Sequence, residues 1–291
     1  MAESPAHKLG QIIGDLFEET IKDVVEPITI QNGLYLDYKK ERHARDMKKE
    51  VIGKDLLGND HKLDYVIEKG GTEENFGMYI AFIEIAWRRY AKHSKNKAEE
   101  IGDVLDVMYK TYSNQHPFKG AVLAGVFTKP SIAQLKSKGI TVAYIDYESI
   151  VGLFQNKYQI DIRWDEKTET EKITRILNQV EHLISDKKET IKKDIVSENR
   201  QIFDEFILEL KKSIERKVQK IIVIPLHGES NTFFDSYEAI TFLNSYDEMT
   251  NQSYGFKSYK IYVEYSENVG EINANFINKN DAIEFIQKIS F

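Results

Sequence analysis

The sequence contains no cysteine. Disulfide frameworks and thiolate metal sites are therefore excluded, and any metal must be held by oxygen or imidazole, which points to a hard cation. The seven histidines show no metal-ligand spacing, and there is no Gly-rich phosphate loop, His-Glu-x-x-His pair or serine nucleophile elbow. No stretch approaches the roughly 18 apolar residues that span a bilayer. The opening MAESPAHKLG lacks the charged-then-apolar pattern of a leader, so a cytoplasmic location is expected. Positive charge is also in deficit, with a formal net charge of −7. Affinity for phosphate comes mainly from clustered Lys and Arg, so the placement of charge matters more than its total. Between Ile85 and Ala98 stand five cations, Arg88, Arg89, Lys92, Lys95 and Lys97, with no acid among them, whereas residues 219–291 carry five basic side chains against ten acidic ones.

With 41% hydrophobic and 30% charged residues the chain falls among folding, globular sequences, and 291 residues suit two domains better than one. Leu9, Ile12, Ile13, Leu16, Phe17, Ile21, Val24 and Val25 recur at steps of three and four, which predicts an amphipathic helix that Pro27 ends. The charged stretch 37–55 reads as an exposed helix or a substrate-facing arm. KLDYVIEKGG and GMYIAFIEIAW then read as strands, the second so continuously apolar that both faces of its sheet must be covered. A helix from Ser94 to Tyr112, a strand in GAVLAGVFT, a helix in PSIAQLKSKG and a strand in ITVAYIDY follow. The expected fold is α/β, a mixed central sheet flanked by helices, over residues 1–163. Residues 164–219 lack Gly and Pro and read as long helices, a connector or dimerisation segment, with a helical layer on the same domain as the alternative. Residues 220–291 read as a small α+β domain.

Two acids interrupt the apolar strands: Asp64 in KLDYVIEKG and Glu84 in AFIEIAW. Hydrolysis of a phosphodiester with a hard cation needs oxygen ligands that converge rigidly on one point, which sheet-borne carboxylates supply. A buried carboxylate needs a partner, so either acid alone would also suit an ordinary ion pair. Together, and followed by the run of cations, they form a candidate metal and phosphate site.

A helix bearing acids, a strand Asp, a return to a strand with Glu, then helix, strand, helix and strand resembles the PD-(D/E)XK nuclease fold of type II restriction endonucleases, over roughly residues 9–158. The resemblance implies an enzyme that cuts double-stranded DNA sequence-specifically as a homodimer, using Mg²⁺, with Mn²⁺ as a substitute. Asp64 and Glu84 match the two acids of the motif, with the carbonyl of Ile85 completing the ligand set. Glu18, on the opening helix, resembles the acid that many such nucleases supply as an outer or second-metal ligand, with Glu19 and Asp15 competing for that role and a solvated helix acid the ordinary alternative. Two residues after Glu84, where the family carries lysine, this chain has Ala86. Either a lysine arrives from the next helix, Lys97 being the first choice and Lys95 the second, or the site is an inactive nucleic-acid-binding module. Arg88, Arg89, Lys92 and Lys95 are the expected DNA contacts. A protein-interaction scaffold using residues 164–219 and the C-terminal unit is a third reading.

Overall fold

Residues 4–165, 167–226, 228–249, 255–266 and 270–289 are described in the computed structural model, residues 91–93 by their backbone alone. The central sheet has the order β1-β4-β5-β6-β7, with β1 Leu34–Tyr38, β4 Tyr65–Lys69, β5 Met78–Arg88, β6 Phe118–Gly125 and β7 Thr141–Asp146. The pairs β1–β4 and β4–β5 are antiparallel, and β5–β6 and β6–β7 are parallel. The sheet is thus mixed, as expected.

Alternation along each strand decides the layers. Ile83, Ile85 and Trp87 of β5, with Val122 and Ala124 of β6, face a core formed by α1 (Pro5–Gln31), α4 (Tyr147–Tyr158), α5 (Thr170–Glu198) and α6 (Arg200–Glu215). Phe82 and Ala86 of β5, with Ala121 and Leu123 of β6, face the opposite core under α2 (Ala91–Thr111) and α3 (Lys129–Ser137). Both faces of β5 are covered, which is why its sequence shows no polar alternation.

Three expectations are corrected. Helix α1 does not stop at Pro27 but runs through it to Gln31. Ile28 and Thr29 remain on the buried stripe, and the helix ends where Asn32 N–H bonds back to Ile28 and Gly33 takes φ +64°. The stretch 37–55 is not an exposed helix or arm: it supplies the end of β1, a 3₁₀ turn at His43–Arg45 and the strand β2 (Val51–Lys54), which pairs with β3 (Asp60–Leu63) as a separate two-stranded ribbon. Its Arg42 is only 1% exposed. Finally, residues 164–219 are not a connector. Ile173, Ile176, Leu177, Val180, Ile191 and Ile195 of α5 and Phe203, Phe206 and Leu210 of α6 share one core with α1 and the central sheet, and Phe206 meets Phe118 of β6 edge to face. They are a layer of the first domain, with α5 kinked at Lys187.

Beyond α6, β8 (Val218–Pro225), β9 (Asn231–Phe233), β10 (Tyr259–Tyr265) and β11 (Glu271–Phe276) form an antiparallel sheet of order β11-β10-β8-β9. With α7 (Ser236–Ser245) and α8 (Lys279–Ile289) it encloses a core of its own. Arg216 ties this unit to the first domain. Its guanidinium donates to the carbonyls of Gln115 and His116 and packs 4.6 Å from the Tyr265 ring centroid.

Candidate active site

Asp64 sits where the chain leaves the β2–β3 ribbon and enters the central sheet as β4. Glu84 stands across from it on β5. The two are locked by reciprocal bonds: Ile85 N–H donates to Asp64 Oδ2 at 2.8 Å, and Asp64 N–H donates to Glu84 Oε1 at 3.2 Å. The antiparallel β4–β5 pairing thus holds two carboxylates side by side, and among the described residues neither has an ion-pair partner within 4 Å. Burial pushes the Glu84 carboxyl well above its ordinary range, and the neighbouring Asp64 charge pushes it further. Burial also raises Asp64, against the opposing Ile85 N–H bond and the fields of Lys97 and Lys62.

Both acids open onto a cleft of about 880 Å³, lined also by Glu18, Lys62, Arg88, Arg89 and Lys97. Glu18 is brought in by α1, which Tyr65 of β4 pins by donating its hydroxyl to the Glu18 carbonyl at 2.7 Å. Its carboxyl is raised by burial, then by Asp64 and Asp15. Glu18 neighbours the pair but does not join it as a third direct ligand: among the described residues no three His, Asp or Glu side chains are grouped to hold a metal ion. An oxygen set here would consist of Asp64, Glu84 and main-chain carbonyl. A buried and a half-buried carboxylate, mutually repelling and without a bonded cation, suit a hard divalent ion in charge and donor type.

Ala86, 3% exposed, lies on the same face of β5 as Glu84, beneath α2. Lys97 enters from α2 on that side. Its field lowers both Asp64 and Glu84, its side chain is 16% exposed, and its ammonium bonds Glu100 Oε1 at 2.6 Å. Lys95 is exposed on α2, 3.8 Å from Glu99, and does not line the cleft. The side chain of Lys92 lies outside the described residues. Arg88 donates to the Trp87 carbonyl at 2.8 Å. The Arg89 guanidinium lies 4.4 Å from the Tyr147 ring centroid and 5.0 Å from that of Trp164, and its Nε has no hydrogen-bond partner among the described residues. Trp87 is a core residue stacked on Phe17.

Sequence reasoning missed Lys62, which stands two residues before Asp64. Period-2 alternation puts both on one face of the chain, and that was the available signal. Glu100, one helical turn beyond Lys97, was missed as its partner, and the aromatic walls around Arg89 come from segments distant in sequence.

The raised Glu84 carboxyl has a measurable consequence in metal-free buffer. A carboxyl whose folded pKa exceeds its unfolded value destabilises the fold as pH rises above the ordinary value near 4.5, because the unfolded chain ionises first. Glu84→Gln is therefore expected to be more stable than wild type at pH 7, by about 0.5–2 kcal/mol. The difference should vanish at pH 4, where the carboxyl is protonated in the folded protein. Urea denaturation at the two pH values measures it; equal stability at both would show that the acid pair is not electrostatically strained.

No protein-family model matches the chain, and no curated protein matches it. A solved structure, that of a protein of unknown function designated AF1548, is similar over 69% of this chain and 98% of its own, at 13% sequence identity and a TM-score of 0.27. A score of that size carries no functional argument.

Proposed function

We propose that this protein is a metal-dependent endonuclease that hydrolyses phosphodiester bonds of double-stranded DNA at the Asp64–Glu84 cleft, in the manner of type II restriction endonucleases. The observation that carries this reading is the locked pair of carboxylates, buried Glu84 and half-buried Asp64, with Lys97 lining the same cleft. Bound there, Mg²⁺ would supply charge neutralisation at the phosphate and acidify water. Asp64, Glu84 and the Ile85 carbonyl would hold the ion. Lys97 occupies the role of the lysine absent at position 86: its ammonium offsets phosphate charge and hydrogen-bonds the attacking water. Arg88 and Arg89, at the far wall of the cleft, suit backbone phosphates or a guanine edge. Cutting both strands of a symmetric site suits a homodimer.

Plasmid and linear duplex DNA incubated with the protein and Mg²⁺ should yield discrete cut products that disappear with chelator. Mn²⁺ should substitute. Ala86 favours one other reading, an inactive DNA-binding module. Duplex bound at low salt but uncut with either ion would establish it, and no binding at all would overturn both.

A further inference from the structure

The ribbon that delivers Asp64 ends in two leucines facing solvent. Leu56 is 78% and Leu57 88% exposed, although the far end of the ribbon is seated on the core. Val51 and Leu63 are buried in the core under α2, and a Cβ on Gly53 would meet Met108 Cε of that helix at 2.3 Å. The strands therefore lie against α2 while the tip projects.

The turn is built to hold the leucines outward. Asp55 Oδ1 accepts from the backbone N–H of Leu57 and of Asn59, each at 2.9 Å. Its Oδ2 accepts from Asn59 Nδ2 at 2.9 Å and lies 3.0 Å from His61 Nε2. Main-chain bonds from Gly58 to Asp55 and from Asp55 to Asn59 close the loop, with Gly58 at φ +84°. These bonds fix the backbone that carries the two leucines, whose side chains stand in water. Such pre-organisation against the hydrophobic effect has a use only if something apolar receives the pair.

We propose that Leu56 and Leu57 form a wedge that enters the minor groove of duplex DNA bound at the cleft and unstacks one base step. The inference rests on the nuclease reading above. Apolar side chains, leucine among them, are known to open base steps from the minor groove and kink the duplex. Continuity favours DNA as the occupant. Strand β3 runs from the tip through Lys62, on the cleft wall, directly to Asp64. At strand rise Asp60, where β3 begins, is about 13 Å from Asp64, roughly four base pairs along a duplex, with the leucine turn just beyond it. Lys54 and Lys62 on the ribbon are held only by surface pairs with Asp60 and Glu50, which exchange for phosphate at little loss. A second copy of this chain is a poor occupant, because two leucines cover far less than the roughly 1,000 Å² that a specific protein interface needs.

The test uses the full chain, Ca²⁺ in place of Mg²⁺, and duplexes carrying 2-aminopurine at successive positions. Wild type should raise the fluorescence at one step. Leu56→Ser/Leu57→Ser should abolish that rise and bind roughly tenfold more weakly. Asp55→Ala, which keeps the leucines and frees the turn, should reduce the rise without abolishing it. Leu56 and Leu57 are exposed, so the melting curve of the double variant should match wild type. Duplex binding with no fluorescence change, or a rise that survives the double substitution, overturns the wedge and leaves the nuclease reading standing. A shift in oligomeric state on sedimentation overturns it in favour of a second copy. Failure of wild type to bind any duplex removes the nuclease reading and the wedge with it.

Discussion

Lys97→Met is expected to lower the rate of Mg²⁺-supported DNA cleavage by about a thousandfold, and Glu84→Ala by at least as much, because each removes several kcal/mol of charge stabilisation around the phosphate. The two should part company in binding. Glu84→Ala removes a repulsive negative charge and should bind duplex as tightly as wild type or more tightly, whereas Lys97→Met should bind a few-fold more weakly. Lys95→Met is the control: that side chain is exposed and outside the cleft, so cleavage should change by less than about threefold. Single-turnover rates with DNA held by excess enzyme separate chemistry from binding. Full activity in Lys97→Met would move the missing cation elsewhere, with Lys62 as the next candidate from its place beside Asp64 and Glu18. Full activity in Glu84→Ala would remove the acid pair from the chemistry altogether.

The second large effect concerns stability. Arg42 is buried between Asp37 of β1 and Glu68 of β4, bonding the first at 2.6 Å and the second at 2.8 and 3.0 Å. It also donates to the carbonyls of Thr72 and Asn75. Arg45 meets Asp37 from the other side, and Glu68 accepts from Gly77 N–H at 2.7 Å. Glu68 is 0% and Asp37 1% exposed. Arg42→Ala would leave Glu68 buried without a cation, a class of change that destabilises by about 3–5 kcal/mol. In a domain of this size that lowers Tm by about 10–15 °C. Thermal and urea unfolding measure it. Replacing Arg42→Met together with Glu68→Met, which leaves Asp37 paired with Arg45, should recover most of the loss, since a buried charge of each sign disappears at once. If Arg42→Ala alone unfolds like wild type, water reaches the carboxylates and the cluster is not closed.

What the sequence disclosed follows from how local each signal is. The strand character of GMYIAFIEIAW, the helices α2, α5 and α6, and the juxtaposition of Asp64 and Glu84 on neighbouring strands rest on periodicity and on a short hairpin-like return, which a single chain displays. The stretch 37–55 misled because lysine and arginine ordinarily signal solvent, and nothing local distinguishes Arg42 from Lys39. Its burial depends on Glu68, 26 residues away, and on the loop after β4. Pro27 misled for the opposite reason. The missing N–H is a local penalty, and burial of Ile28 and Thr29 against the rest of the domain overrode it. Lys97 was reachable as a candidate because it lies on the next helix, but its partner Glu100 and the ring walls around Arg89 depend on side-chain packing, which periodicity does not carry.

The docking of the C-terminal unit bears on how this chain can change over time. Arg216 grips the carbonyls of residues 115 and 116 rather than their side chains, so these two bonds do not themselves read which amino acids stand there. Drift at position 115 is free as far as this grip is concerned, while the obligation falls on the codon for Arg216, on the ring of Tyr265 behind it and on position 116, whose imidazole packs against Gly270 of the C-terminal unit. Among descendants of this sequence, the joint between the two units should be recognised by a retained arginine, an aromatic residue in β10 and a glycine before β11 that leaves room for the ring at position 116.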